Sequence, residues 1–195
     1  MKNFRFFSLL SCLVMLFAAL ALTGCLAKNE VRLLYDVEGT KAVPSATAPR
    51  VVVVQFEDKR TTAELGLRKD GTPFQTSASV ASWATQALAD ELAARGAQVS
   101  VALSMAQAEL NQPQYIVTGD VENVKLTEKN MTSYQAEIRL QTRLYTASQL
   151  SFTRTFTAHQ EKTGIPGAKL MEQTLSGALA EALSSAATSV MGGLR

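Results

Sequence analysis

Val51-Val52-Val53-Val54 constrains the fold more than any other stretch, because four consecutive β-branched residues leave neither face of a strand polar. Together with Gln55 and Phe56 the run has the length of one strand, and a strand of this kind needs cover on both faces. A helical stripe downstream supplies part of that cover. Val80, Trp83, Ala84, Ala87, Leu88 and Leu92 recur at helical spacing, with Gln86, Asp90 and Glu91 off the stripe. Ser77 or Ser79 stands where an N-cap is wanted, and Gly96 where a left-handed C-cap is wanted. Ala97 to Val101 then reads as a second strand. Strand, helix and strand in one sheet imply a right-handed parallel crossover. Trp83 is expected in the core.

Beyond this unit the pattern changes from continuous to alternating. Ser104 to Leu110 reads as a short helix closed by Pro113. Tyr115 to Leu126 is a long strand with a bulge expected near Glu122-Asn123. Tyr134, Ala136, Ile138, Leu140 and Leu144 alternate with Gln135, Glu137, Arg139, Gln141 and Arg143, the mark of an antiparallel strand with one solvated face. Thr146-Ala147-Ser148-Gln149 turns the chain into a third strand carrying Leu150, Phe152, Phe156 and Ala158. Between the first strand and the first helix, Leu65-Gly66-Leu67 and Lys69-Asp70-Gly71-Thr72-Pro73 suggest a loop or small hairpin. Residues 168–191 form the last helix, with Leu175, Ala178, Leu179, Ala182, Leu183, Ala186 and Val190 on a narrow apolar seam. That seam packs on the sheet, or part of it serves a partner helix or a second copy of the chain, and Met171 is expected in the core. The half-exposed strands predict a two-layer α/β (α+β-like) sandwich, a mixed sheet of about five strands with two main helices on one face.

The N-terminal end has a different character. Lys2 and Arg5 precede an uncharged apolar run from Phe6 to Leu22, which ends at Thr23-Gly24-Cys25. A basic start, a hydrophobic middle and small residues at a cut site are the three parts of a secretory signal. The run is short for a spanning helix of ~20 residues. Leu22-Thr23-Gly24-Cys25 resembles the bacterial lipobox. That resemblance implies cleavage before Cys25 and acylation of its sulfur and new amino group. Several acyl chains hold a protein on a bilayer where one does not. Leu26, in a position where Asp marks inner-membrane retention, points to the outer membrane, with the inner membrane the lesser expectation. The chain thus divides into a cleaved signal at 1–24, a lipidated N-terminus and tether at 25–49, and a single periplasmic domain at 50–195. Within the tether, Val31, Leu33, Tyr35 and Val37 alternate with Arg32, Leu34 and Asp36 as in a strand, which either pairs on the domain edge or stays extended. Residues 40–49 have a linker composition.

Composition narrows the chemistry. Of nineteen Lys and Arg residues, Lys2 and Arg5 leave with the signal, so the remaining seventeen match the seventeen acids. A surface without net charge or a basic stripe argues against nucleic-acid binding. Cys12 lies in the signal and Cys25 is the lipid site, which leaves no thiol for catalysis, a disulfide or a metal cluster. His159 is the only histidine, placed at the end of a strand, and no nucleophile-elbow motif accompanies it. Asp58 and Arg60 follow the valine strand at its C-terminal end, where α/β proteins often place ligands; they form either a ligand site or a structural ion pair. No cofactor site, catalytic residue or metal site is expected.

The lipobox, the valine strand, Phe56-Glu57-Asp58-Lys59-Arg60, Leu65-Gly66, and the stretch from Trp83 to Val99 ending Leu-Ala-Ala-Arg-Gly-Ala-Gln-Val together resemble the YajG-type lipoproteins of Gram-negative bacteria. The resemblance runs from about Val51 to the end of the chain. It implies a periplasm-facing α/β domain on an acyl anchor, and it brings no catalytic residues with it. The layout is also similar to auxiliary lipoproteins of ABC-type lipid transporters and to the small domains of lipoproteins that regulate peptidoglycan synthesis. The leading expectation is a non-enzymatic envelope lipoprotein that is bound to the membrane through its acyl chains and contacts an envelope protein or lipid. The alternatives are a transport accessory and a regulator of peptidoglycan synthesis.

Overall fold

Strand β6 (Tyr115–Asn130) is the axis of the fold, and the computed structural model describes it within residues 29–37, 42–110 and 112–194. The expected signal and Cys25 lie outside the described residues. One edge of β6 pairs along nearly its whole length with antiparallel β7 (Ser133–Thr146), which in turn pairs with β8 (Gln149–Thr163) at the rim of the sheet. The other edge accepts three short strands in succession, all parallel to it. These are β1 (Arg50–Val54), β2 (Glu57–Asp58) and β3 (Gly66–Leu67). β4 (Pro73–Phe74) closes a hairpin with β3, and β5 (Gln98–Ala102) lies parallel to β1 on its outer side. The sheet therefore has eight strands, of which the five expected from sequence are those of five residues or more. The added strands are two residues each, too short to show a period.

Helices α1 (Val80–Ala94) and α3 (Ala168–Gly193) cover one face. Ser79 caps α1 by accepting a hydrogen bond at Oγ from the backbone N–H of Ser82 at 3.1 Å. Gly96, at φ 93°, ends it: the Gly96 and Ala97 N–H groups donate back to Ala93 and Leu92 carbonyls, a Schellman closure. The seam of α3 is buried along its length, from Leu175 to Val190, against β7, β8 and α1. Small Ala178, Ala182 and Ala186 allow that close approach. Trp83 and Met171 are in the core as expected.

Cover for the valine strand comes from two sides. Val51 and Val53 join the main core under α1, whereas Val52 and Val54 form a second, smaller cluster with Ala102, Ala108 and Ile116. Ala108 belongs to a short helix, α2 (Met105–Leu110), on the opposite face. The two main helices share one face as predicted, and this third helix meets the demand for double burial that β1 imposes.

After β1 the chain crosses to the next stretch of β6 at Phe56, whose backbone N–H donates to Thr85 Oγ1 of α1 at 2.9 Å. The Phe56 ring lies over Gly119; a Cβ at that glycine would stand 2.5 Å from the ring and 2.6 Å from the Gln141 carbonyl oxygen. β6 bulges between Val121 and Asn123, where the sequence placed a bulge. The β7–β8 turn has positive φ at both central residues, Ala147 (47°) and Ser148 (63°), without the glycine or asparagine that relieves such a turn.

Two outcomes are expected. Gly119→Ala drives the Phe56 ring off β6 and lowers stability by about 1–3 kcal/mol in urea unfolding. Replacing Ala147-Ser148 by Asn-Gly relieves the left-handed turn and raises stability by about 1 kcal/mol; an unchanged denaturation midpoint would mean that the turn carries no strain.

Candidate functional site

The polar side chains that bind distant parts of the chain together gather where residues 29–37 meet the domain. Of the two courses left open for this segment by its alternation, docking is the one observed. Val31 is fully buried, and Leu33 and Tyr35 pack against the same core. The Val31 N–H donates to the Gln75 carbonyl at 2.7 Å, and the Gln75 N–H donates to the Asn29 carbonyl at 3.0 Å. The Trp83 indole donates to the Leu34 carbonyl at 3.1 Å.

Two charged contacts complete the dock. The Arg32 guanidinium forks onto Glu172 of α3, with Nε–Oε1 at 2.8 Å and Nη2–Oε2 at 3.1 Å. Glu172 is 6 % exposed, so this fork is what satisfies a carboxylate otherwise shut away from water. The Tyr35 hydroxyl donates to Glu91 Oε1 of α1 at 2.5 Å. Burial, then the bond to Glu91 and the charges of Glu91 and Asp90, push the Tyr35 hydroxyl well above the ordinary phenol value of 10.0. Arg95 binds Glu91 at 3.3 Å, Thr188 Oγ1 at 2.6 Å and Ser184 Oγ at 3.0 Å, which joins α1 to α3. An open cleft of about 640 Å³ runs beside the segment; Leu34, Val37, Lys162, Lys169 and Ala180 contribute to its walls. The sequence alternation showed that the segment would be extended. Nothing in it marked Glu172 as a buried acid or Arg32 as its partner, because the two are 140 positions apart.

Asp58 and Arg60 come together directly. Arg60 donates from Nε to Asp58 Oδ1 at 2.9 Å and from Nη2 to Oδ2 at 2.8 Å, and its backbone N–H adds a third bond at 3.2 Å. The Arg60 side chain is 9 % exposed and that of Asp58 39 %. Hydrogen bonding to Arg60 holds the Asp58 carboxyl below its ordinary range against the opposing effect of partial burial. Both fork positions of the guanidinium are thus occupied from within the loop. This is the geometry of the ion-pair alternative.

His159 lies within β8 rather than at its end, on the solvated face of the sheet. Its cross-strand partner is Glu137, with Nδ1 and Oε2 3.9 Å apart, too long for a hydrogen bond. The same face carries a pairing that sequence reading missed. Arg143 binds Asp120 and Gln141 (2.5 Å to the latter), and Glu57 pairs with Lys59 nearby. A shallow hollow of about 520 Å³ opens here beside Val54, Leu103 and Tyr145. Arg143 was legible only as a member of the polar alternation, and Asp120 stood out in no pattern. Their contact depends on the β6–β7 register, in which Thr118 faces Arg143 and Asp120 faces Gln141. Among the described residues no group of three or more His, Cys, Asp or Glu side chains is placed to hold a metal ion, and no helix is long and apolar enough to cross a membrane.

The raised Tyr35 value has a defined sign. Its stabilising contribution is complete below pH 10 and is lost as pH rises toward the folded-state value. Tyr35→Phe is expected to cost about 0.5–1.5 kcal/mol at neutral pH by removing one hydrogen bond. It is also expected to flatten the loss of stability above pH 10 in urea titrations. An alkaline slope equal to that of the native chain would show that Tyr35 is not held protonated by the dock.

No family model matches the chain, and a search of curated proteins finds no match. Solved structures do resemble it. Protein XCC0632 from Xanthomonas campestris, of the family described as DUF330, superposes with a TM-score of 0.55 at 13% identity, over 80% of this chain and 94% of that one. A PelC dodecamer from Paraburkholderia phytofirmans matches with a TM-score of 0.47 at 18% identity, over 75% of this chain and 93% of the other. Lipoprotein GNA1162 from Neisseria meningitidis matches with a TM-score of 0.40 at 10% identity, over 74% and 99%. At this identity the likeness to XCC0632 is a likeness of fold alone.

Proposed function

We propose that this chain is an acyl-anchored, non-enzymatic protein of the bacterial cell envelope whose periplasmic domain binds another envelope component. One juxtaposition carries the reading. Leu22-Thr23-Gly24-Cys25 ends an apolar leader, and the chain is already built into the domain at Asn29, four residues after Cys25. An acyl anchor at Cys25 would therefore hold a structured body and not the end of a long flexible tether. The Arg32–Glu172 fork and the Tyr35–Glu91 bond serve as the mechanical link between anchor and domain. The absence of Asp after Cys25 favours the outer membrane.

A second reading, an accessory of lipid transport, draws support from the cleft beside the dock. Leu34, Val37 and Ala180 offer apolar wall, while Lys162 and Lys169 offer charge for an anionic headgroup. Lipid that co-purifies with the protein, and is lost in a Lys162→Ala, Lys169→Ala double variant, would favour it over a purely protein partner.

The anchor is tested by Cys25→Ala. The native protein is expected to fractionate with membranes and to yield a triacylated N-terminal peptide in mass spectrometry. The variant is expected to lose the acyl mass and to leave the membrane fraction. An unmodified Cys25 in the native protein would overturn the reading.

A further inference from the structure

We infer that one end of the sheet, built from the β3–β4, β6–β7 and β8–α3 connections, lies directly on the lipid bilayer and places Met131 and Ile165 in its interface. This inference rests on the acyl-anchored reading of Cys25 and adds to it an orientation of the domain.

Strand direction identifies the end. β3 runs parallel to β6, so Leu67, opposite Thr127, points toward the β6–β7 turn at Met131. β4 runs back, and residue 30 bridges Gln75 in parallel with it. Followed backward from Glu30, the chain thus heads toward that same end. Asn29 confirms the position: its side-chain oxygen accepts from Arg68 Nε at 2.7 Å, next to Leu67. Cys25 is four residues further on, within about 14 Å even if the backbone is fully extended. An acylated Cys25 would therefore hold its acyl chains within that reach of the β3–β4 end.

The turns have the character of a surface that meets lipid. Met131 is 77% exposed, Ile165 90% and Leu67 55%. Met131 and Ile165 are neighbours, because the Gly164 N–H donates to the Thr132 carbonyl at 2.9 Å. Large apolar side chains at the tips of adjacent turns are costly in water and favourable at the boundary between headgroups and acyl chains. Lys69 and Lys129 flank them, suited to lipid phosphates. Of the acids here, Glu128 is engaged by the Arg68 guanidinium and the Lys69 N–H, while Asp70, hydrogen-bonded by Thr72, stays exposed and ionised beside Lys69. The Arg32–Glu172 fork, three residues beyond Asn29, holds this segment against α3.

The test uses the native acylated protein in vesicles of phosphatidylethanolamine and phosphatidylglycerol. Apart from Cys25 the mature chain has no thiol, so Met131→Cys and Ile165→Cys each accept one nitrobenzoxadiazole probe. Leu150→Cys, in the β7–β8 hairpin at the far end of the sheet, is the control. Probes at 131 and 165 are expected to shift to the blue and to lose fluorescence when nitroxide-labelled lipid is included, and the probe at 150 to do neither. If Cys25 is acylated and the vesicles carry the protein, but the 131 and 165 probes behave like the one at 150, the orientation is wrong and the anchor stands. A blue shift without quenching by labelled lipid would assign this end to a protein partner or a second copy and overturn the inference. A free Cys25 in mass spectrometry would remove the anchor, and the orientation with it.

Discussion

Every other element of this domain takes its place from the pairing of β6 with β7. Fourteen backbone partners join the two strands, and this ladder is interrupted only at the two bulges. One edge of β6 is thereby occupied, and its free edge becomes the template on which β1, β2 and β3 are laid in order. Helix α3 lies across the apolar face of β7, and α1 fills the space between α3 and β1. Since β6 and β7 are adjacent in sequence, their ladder can form locally before the distant parallel strands are recruited. The close contact of Phe56 with Gly119 then sets where the chain crosses from β1 to β2.

Much of this was legible in the amino-acid sequence for a physical reason: burial on one face imposes a period. The alternation of residues 134–144 and the seam of α3 record which atoms face the core, and both were read correctly. Of the two serines offered as caps, Ser77 and Ser79, the second is used, its hydroxyl answering a local need of the helix end. The two-residue strands left no periodic record, although the Asp70-Gly71 turn signal had offered a small hairpin where β3 and β4 pair. Their pairing is decided by where β6 offers a free edge, a property of the assembled sheet. The continuous apolar run of β1 did announce that both faces would be covered, but it could not say that α2 would supply the second cover.

The candidate site was less legible than the fold. Asp58 and Arg60 could be singled out because they are two residues apart and follow a buried strand. The contacts that hold residues 29–37 could not. Arg32 and Glu172, or Tyr35 and Glu91, become neighbours only when an extended segment, a helix from the middle of the chain and the final helix are brought together. In sequence each is one charged or polar residue among many. Ion pairs between remote residues carry no periodic signature, although removing exposed Arg32 would leave the buried Glu172 carboxylate uncompensated.

The rim strand β8 has a further consequence. Its inner edge is bonded to β7, and among the described strands none pairs with its outer edge, which is up to fifteen residues long. A bare ladder of amide and carbonyl groups on that scale invites another molecule's backbone to zip onto it. Arg154, His159, Glu161 and Lys162 interrupt the threonines of this strand with charged and polar side chains. Side chains of this kind act as insulation along the exposed seam, making it a poor template for a foreign strand.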